Sequence, residues 1–269
     1  MDNIDFPWRR HSESELQNEY TRLKNKLSKQ NPICPFPFST IGFKCTNYFF
    51  QYERMNTSGN GRATTIENWS KHKDKVIKFS NEENRDYFST LNYFNHTPSQ
   101  FPIMTAGRLY KHFGATKIFD PYAGWGDRCL AAMALGIDYT GVDSNPNLET
   151  PFNNLLKKYD TQSNINMIFD KCENVNISDI DFDFVFSSPP FWKKGKMIER
   201  YNNIELDYKT FMETSLIPVI NTCLKKNACI CLYIPEDMYR DLSLAVGTCS
   251  EILEFKVNNK KIGIIYCWR

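Results

Sequence analysis

The sequence predicts an α/β protein. Its core is a mostly parallel sheet of seven strands with helices on both faces, closed by an antiparallel hairpin at the C-terminal end. A helical and irregular N-terminal extension precedes it. Three observations carry this reading. From about residue 97, short runs rich in aromatic and β-branched residues alternate with amphipathic stretches of helical period. A glycine-containing turn separates the first such strand from the helix after it. The last two strands are joined by Asn258-Asn259-Lys260-Lys261, too short for a parallel crossover, so one of them must run antiparallel. The 269 residues therefore divide into an extension, 1–95, and an α/β domain, 96–269.

The elements follow in order. Ser12 to Ser28 reads as a helix: Ser12 caps it, Glu15 completes a capping box, and Leu16, Tyr20, Leu23 and Leu27 share one face. The proline-rich 31–37 is an extended connector. Ser58-Gly59-Asn60-Gly61 is a turn, and Lys71, Lys73, Lys75 and Lys78 form a basic stretch near Trp69. A helix is expected over 105–113, then a strand over 116–120 and a helix over 127–135. Strand 139–143, helix 147–159 and strands 165–170 and 182–187 follow. A long helix over 208–226 carries Pro218, and strands at 228–234, 252–257 and 263–268 close the chain.

Composition narrows the class. Hydrophobic residues make up 41% and charged residues 24%, enough apolar surface for a folded core. No apolar run reaches the ~18–20 residues that span a bilayer, and the N-terminus is charged where a signal peptide is apolar. The expectation is a soluble, intracellular protein with no membrane partner. The nine cysteines include no Cys-x-x-Cys pair and the four histidines are scattered, so no metal site is expected. The formal net charge of +2 hides an acidic middle: residues 101–190 carry 7 basic and 11 acidic side chains. Such a middle, between basic flanks, suits a cationic ligand beside surfaces that tolerate phosphate.

Two motifs carry chemistry. The first, Asp120-Pro121-Tyr122-Ala123-Gly124-Trp125-Gly126, lies between a strand and a helix. Ligands bind past the carboxyl ends of parallel strands, and glycine lets backbone approach them. Asp143 ends the next strand, where a carboxylate can accept hydrogen bonds from ribose hydroxyls. The turn is not Gly-x-Gly-x-x-Gly, because residue 129 is Cys, which disfavours a pyrophosphate site. The second is Ser188-Pro189-Pro190-Phe191, ending the fourth strand. The prolines remove two N–H donors, leaving carbonyl acceptors; Ser188 adds a hydroxyl and Phe191 a flat ring. That set suits a planar heterocycle bearing an amino group.

Together the motifs resemble class I S-adenosylmethionine-dependent methyltransferases of the exocyclic-amino branch, which modify adenine N6, cytosine N4 or guanine N2. The resemblance covers about residues 97–269 and implies a Rossmann-like sheet with S-adenosylmethionine as cofactor. It places Asp120 to Gly126 in the glycine-rich motif, Asp143 at the cofactor ribose and Asp170 at the adenine amino group, with Ser144 and Lys171 also among the cofactor-binding residues. It makes Ser188, Pro189, Pro190 and Phe191 the catalytic tetrad. The implied substrate is nucleic acid, DNA before RNA, with the base flipped out or unpaired. Serine in the first tetrad position leans towards cytosine N4 among DNA enzymes. An RNA methyltransferase and a non-catalytic nucleic-acid-binding subunit are the alternatives. Substrate contacts are expected from Trp192, Lys193, Lys194 and Lys196 and from the extension, including Trp8, Arg9, Arg10, Arg54 and Arg62. Phe101-Pro102 either lines the methionine end of the cofactor or packs in the core.

Overall fold

The computed structural model describes residues 5–29, 36–57, 63–94, 98–159, 162–193, 196–197, 207–257 and 260–269. The extension holds helices α1 (Glu13–Lys29), α2 (Phe43–Met55), α3 (Thr65–Glu82) and α4 (Tyr87–Phe94), and a two-residue strand β1 (Phe36–Pro37). The remainder runs α5 (Ile103–Phe113), β2 (Lys117–Asp120), α6 (Asp127–Leu135), β3 (Asp138–Val142), α7 (Glu149–Lys158), β4 (Ile165–Ile168) and β5 (Phe184–Ser187). A small hairpin, β6 (Trp192–Lys193) and β7 (Lys196–Met197), follows. Then come α8 (Tyr208–Phe211), α9 (Ile217–Lys225), β8 (Cys229–Tyr233), α10 (Glu236–Val246), β9 (Glu251–Val257) and β10 (Lys260–Trp268).

The main sheet has the order β1-β9-β10-β8-β5-β2-β3-β4. The seven strands expected from the sequence are all in it, and β10 runs antiparallel to both β8 and β9. This is the Rossmann-like arrangement, with β1 of the extension added in parallel on β9. The chain moves outward from β2 through β3 to β4, then returns to place β5 on the other side of β2. The carboxyl ends of β2 and β5 therefore flank the switch point, where open α/β sheets bind ligands.

Helix α1 has the capping box expected: Ser12 N–H donates to Glu15 at 2.8 Å and Glu15 N–H to Ser12 Oγ at 3.3 Å. Its apolar face, including Leu16, Leu23 and Leu27, is buried. The extension contains more helix than the sequence suggested. Thr64 and Glu67 form a second capping box that opens α3, a readable signal. Helix α2 starts after Gly42 with no side-chain cap and is rich in aromatic, Asn and Thr residues of modest helix propensity. Burial sustains it, since Cys45 and Phe50 enter the main core. The expected helix over 208–226 is wound as a π turn at Met212–Leu216, one turn before Pro218. The wider turn absorbs the carbonyl that the Pro218 ring would strike. No helix among the described residues is long and apolar enough to cross a membrane.

Gly126 shows how the extension is fixed. Its φ is +75°, and a Cβ there would sit 2.6 Å from the Phe50 ring. Gly136 also has a positive φ, +71°, but open space around it. Gly136→Ala should therefore cost about 1 kcal/mol of backbone strain, while Gly126→Ala adds a clash and should cost about 2–4 kcal/mol. Urea unfolding of the two variants checks the difference, and equal losses would mean that Phe50 gives way freely.

Candidate active site

The bend after β2 is organised by Asp120, whose side chain is fully buried. Its carboxylate accepts from Arg128 Nε at 2.6 Å, Tyr139 Oη at 2.7 Å and Ser187 Oγ at 2.6 Å. Burial opposes the Arg128 cation, but the Asp120 carboxylate outweighs it and holds Arg128 above its ordinary pKa. Ser187 also accepts from Tyr122 N–H at 3.1 Å, joining the ends of β2 and β5 directly. The glycine bend and the double-proline corner are thus hydrogen-bonded neighbours.

Between them lies a cavity of about 570 Å³, within the ~300–1,000 Å³ of small-molecule sites. Pro121, Tyr122, Ala123, Gly124 and Trp125 line it along the bend. Asp143, Ser144 and Lys171 line it from the ends of β3 and β4. Ser188 and Pro190 line it from the end of β5. These sequence-predicted residues are brought to one hollow. Others are turned elsewhere. Asp120 faces the core as an anchor, and Gly126 faces Phe50. Asp170 is exposed and accepts from Lys171 N–H at 2.6 Å and Asn174 Nδ2 at 2.9 Å, outside the lining. Pro189 is buried, and the Phe191 ring meets Tyr233 edge-on at 5.2 Å.

Trp192 departs from its expected substrate role. It is 2% exposed and stacks on Phe211 at 4.8 Å, because β6 turns it inward under α8. The side chains of Lys193 and Lys196, and all of Lys194, lie outside the described residues, as does Arg62. Among the extension's candidates, Trp8 packs between Phe6 and Tyr52, and Arg9 lies over the Phe88 ring. Arg54 is buried and donates to Pro98 O at 2.9 Å and to Asn47, so it is a structural cation. Trp69 is buried against Val76 and Leu91 rather than presented beside the lysines. Phe101 and Pro102 line the cavity, and Phe101 also packs in the core on Phe186 at 5.2 Å.

Several lining residues carried no motif. Ser215 donates to Glu173 Oε2 at 3.0 Å; because the carboxylate can only accept, Tyr122 Oη must donate to Ser215, also at 3.0 Å. Arg128 lines the cavity as well, and its place directly after the glycine bend was the one available signal. Asp127 binds the extension: it accepts from Thr46 Oγ1 at 2.7 Å, Gln100 Nε2 at 3.2 Å and Phe101 N–H at 3.1 Å. Gln100 lines the cavity beside it.

Asp143 accepts Gly124 N–H at 2.8 Å and Asn145 N–H at 2.9 Å. Burial nevertheless pushes its carboxyl up to about 6, and burial does the same to Asp127, also to about 6.

No protein-family model matches the sequence, and no curated protein matches it. Solved structures resemble part of the chain. One is the tRNA (uracil-54, C5)-methyltransferase of Pyrococcus abyssi in complex with S-adenosyl-L-homocysteine: 18% identical, TM-score 0.43, covering 63% of this chain and 39% of that one. Another is the precorrin 8W decarboxylase of Methanobacterium thermoautotrophicum: 12% identical, TM-score 0.44, covering 63% and 91%. A third is the N-terminal domain of human METTL16 in complex with S-adenosyl-L-homocysteine: 15% identical, TM-score 0.38, covering 63% and 71%. Likeness at this level carries no functional meaning for this chain, so the site rests on its own geometry.

A native carboxyl pKa above its unfolded value favours the fold at low pH and loses that contribution as pH rises through the native value. The unfolding free energy of the protein minus that of Asp143→Asn should therefore fall by about 2–3 kcal/mol between pH 4 and pH 7. Urea titrations across that range test it; a flat difference would place Asp143 at an ordinary carboxylate pKa.

Proposed function

We propose that the chain transfers a methyl group from S-adenosylmethionine to an exocyclic amino group of a nucleic-acid base. The supporting observation is that Ser188 and Pro190 line the same cavity as Gly124 and Asp143. The motif reading required those groups to meet, and Ser187 bonds one corner to the other.

The lining fits this cofactor. Asp143 is anchored by two N–H donors and retains acceptor capacity for ribose hydroxyls. Glu173, which lines the cavity where Asp170 does not, would take the acceptor role at the adenine amine. Arg128 offers a fixed cation to the amino-acid carboxylate, and Asp120 keeps it from swinging away. Bound there, S-adenosylmethionine supplies an activated methyl group on a cationic sulfur.

The protein's own part is positioning. An exocyclic amine is a weak nucleophile because its lone pair conjugates with the ring. Ser188 Oγ and a proline-corner carbonyl accept hydrogen bonds from its two N–H groups and favour a pyramidal nitrogen, and one of those protons leaves to water once the nitrogen carries the methyl group. The double proline keeps those acceptors free of competing N–H groups. The base must be unpaired when it reacts, at a cost of a few kcal/mol within a duplex. On the Ser-Pro-Pro-Phe tetrad the acceptor is cytosine N4 or adenine N6 of DNA, and the extension meets the nucleic acid.

Calorimetry with S-adenosyl-L-homocysteine should show binding that weakens by ~1–3 kcal/mol in Asp143→Ala. Affinity should also fall as pH drops below about 6, where Asp143 takes up its proton. Absence of binding would bring the non-catalytic nucleic-acid-binding subunit forward. Tritium transfer to duplex DNA, single-stranded DNA and RNA identifies the polymer. Ser188→Ala should lower kcat by roughly 10²-fold or more with cofactor affinity unchanged; an equal fall in both would make Ser188 structural.

A further inference from the structure

Phe38 stands at the rim of the cavity and is 39% exposed. Its ring meets Phe43 edge-on at 6.4 Å. The part left exposed borders the cavity, where a bound ring would add to its apolar burial.

Its position is held on both sides. Phe38 N–H donates to Lys256 O at 3.1 Å, extending the pairing of β1 with β9. Arg108, itself buried, gives Nη1 to Pro37 O at 2.6 Å. A buried guanidinium that donates to this carbonyl helps to fix the edge.

Behind Phe38 the cavity wall is built of rings. Phe255 lies 5.3 Å from Tyr233 and 6.0 Å from Phe101, and Tyr233 lies 5.4 Å from Phe101. On its other side Tyr233 meets Phe191 of the tetrad at 5.2 Å. The rings of Phe101, Tyr233 and Phe255 thus line one cavity with Phe38 of the extension. Such a wall takes a flat, uncharged heterocycle by stacking.

We infer that the N-terminal extension supplies part of the acceptor subsite, with Phe38 stacking on the unpaired base whose amine meets Ser188. This rests on the methyl-transfer reading above and adds a residue that the tetrad does not contain. Phe38 does not touch the reacting nitrogen; it holds the ring. A stack made equally in the ground state and the transition state is felt in KM and little in kcat.

The 269-residue chain is assayed by tritium transfer from S-adenosylmethionine to mixed-sequence pools of duplex DNA, of single-stranded DNA and of RNA oligonucleotides. Wild type is compared with Phe38→Ala, Phe38→Leu and Phe38→Tyr, with calorimetry of S-adenosyl-L-homocysteine and thermal melting alongside. Phe38→Ala and Phe38→Leu should raise KM for the active pool by about fivefold or more, with kcat within about twofold. Phe38→Tyr should restore KM, and cofactor affinity should be the same in all four. Restoration by Leu would show that only apolar cover is needed and would overturn the inference, as would an unaltered KM in Phe38→Ala. Wild type that transfers to none of the three pools overturns the functional reading and this inference with it, whereas an active wild type with an indifferent Phe38 overturns the inference alone.

Discussion

The buried pair Asp120–Arg128 is the interaction on which the rest of the site depends. Breaking such a pair leaves an uncompensated charge in the core, at about 3–5 kcal/mol. Asp120 completes its hydrogen bonds with Tyr139 on β3 and Ser187 on β5, and Arg128 reaches the Tyr122 carbonyl from α6. One carboxylate therefore ties the ends of β2 and β5 to β3 and to the start of α6. The bend 121–125 has little freedom left, and the walls of the cavity follow from it.

The extension is built into the same unit. Phe50 fills the space a side chain at Gly126 would take, Asp127 holds Thr46 and Gln100, and Arg108 holds Pro37. Each tether uses a buried group within or beside the α/β domain to fix a residue of the first hundred. Tyr20, Leu23, Leu27, Cys45 and Phe50 share one core with β2, β3 and β5. Helices α3 and α4 pack around Trp69, Val76 and Leu91 as a smaller cluster. The glycine bend of this chain is thus shaped as much by the helix packed on it as by any ligand.

Much of the fold was legible because its signals are local. Alternation of period 2 and period 3.6, the Ser12 capping box and the short turn at 258–261 each reside within a few residues. The strands of the α/β domain were readable on that basis. Helix α10 has a local start signal too, in Pro235, Glu236 and Asp237. Helix α2 offered no such mark, since burial of Cys45 and Phe50 in a core drawn from distant parts of the chain sustains it. The two motifs were legible as strand-end chemistry, and the strand order brought them together at the switch point.

The sequence by itself determined the elements, their alternation and the two motifs, because these depend on neighbouring residues and on the steric properties of glycine and proline. Only the tertiary structure decided which side chains face the cavity. Asp120 and Asp143 both end strands, yet Asp120 turns into the core because Arg128, Tyr139 and Ser187 converge on it, while Asp143 faces the hollow. Trp192 follows the tetrad directly but is drawn inward by Phe211. Phe38, from a proline-rich connector, reaches the rim because β1 pairs with β9 near the other end of the chain. A side chain's direction is set by contacts between residues far apart in sequence, such as Thr46 and Asp127, 81 positions apart, and no local pattern encodes them.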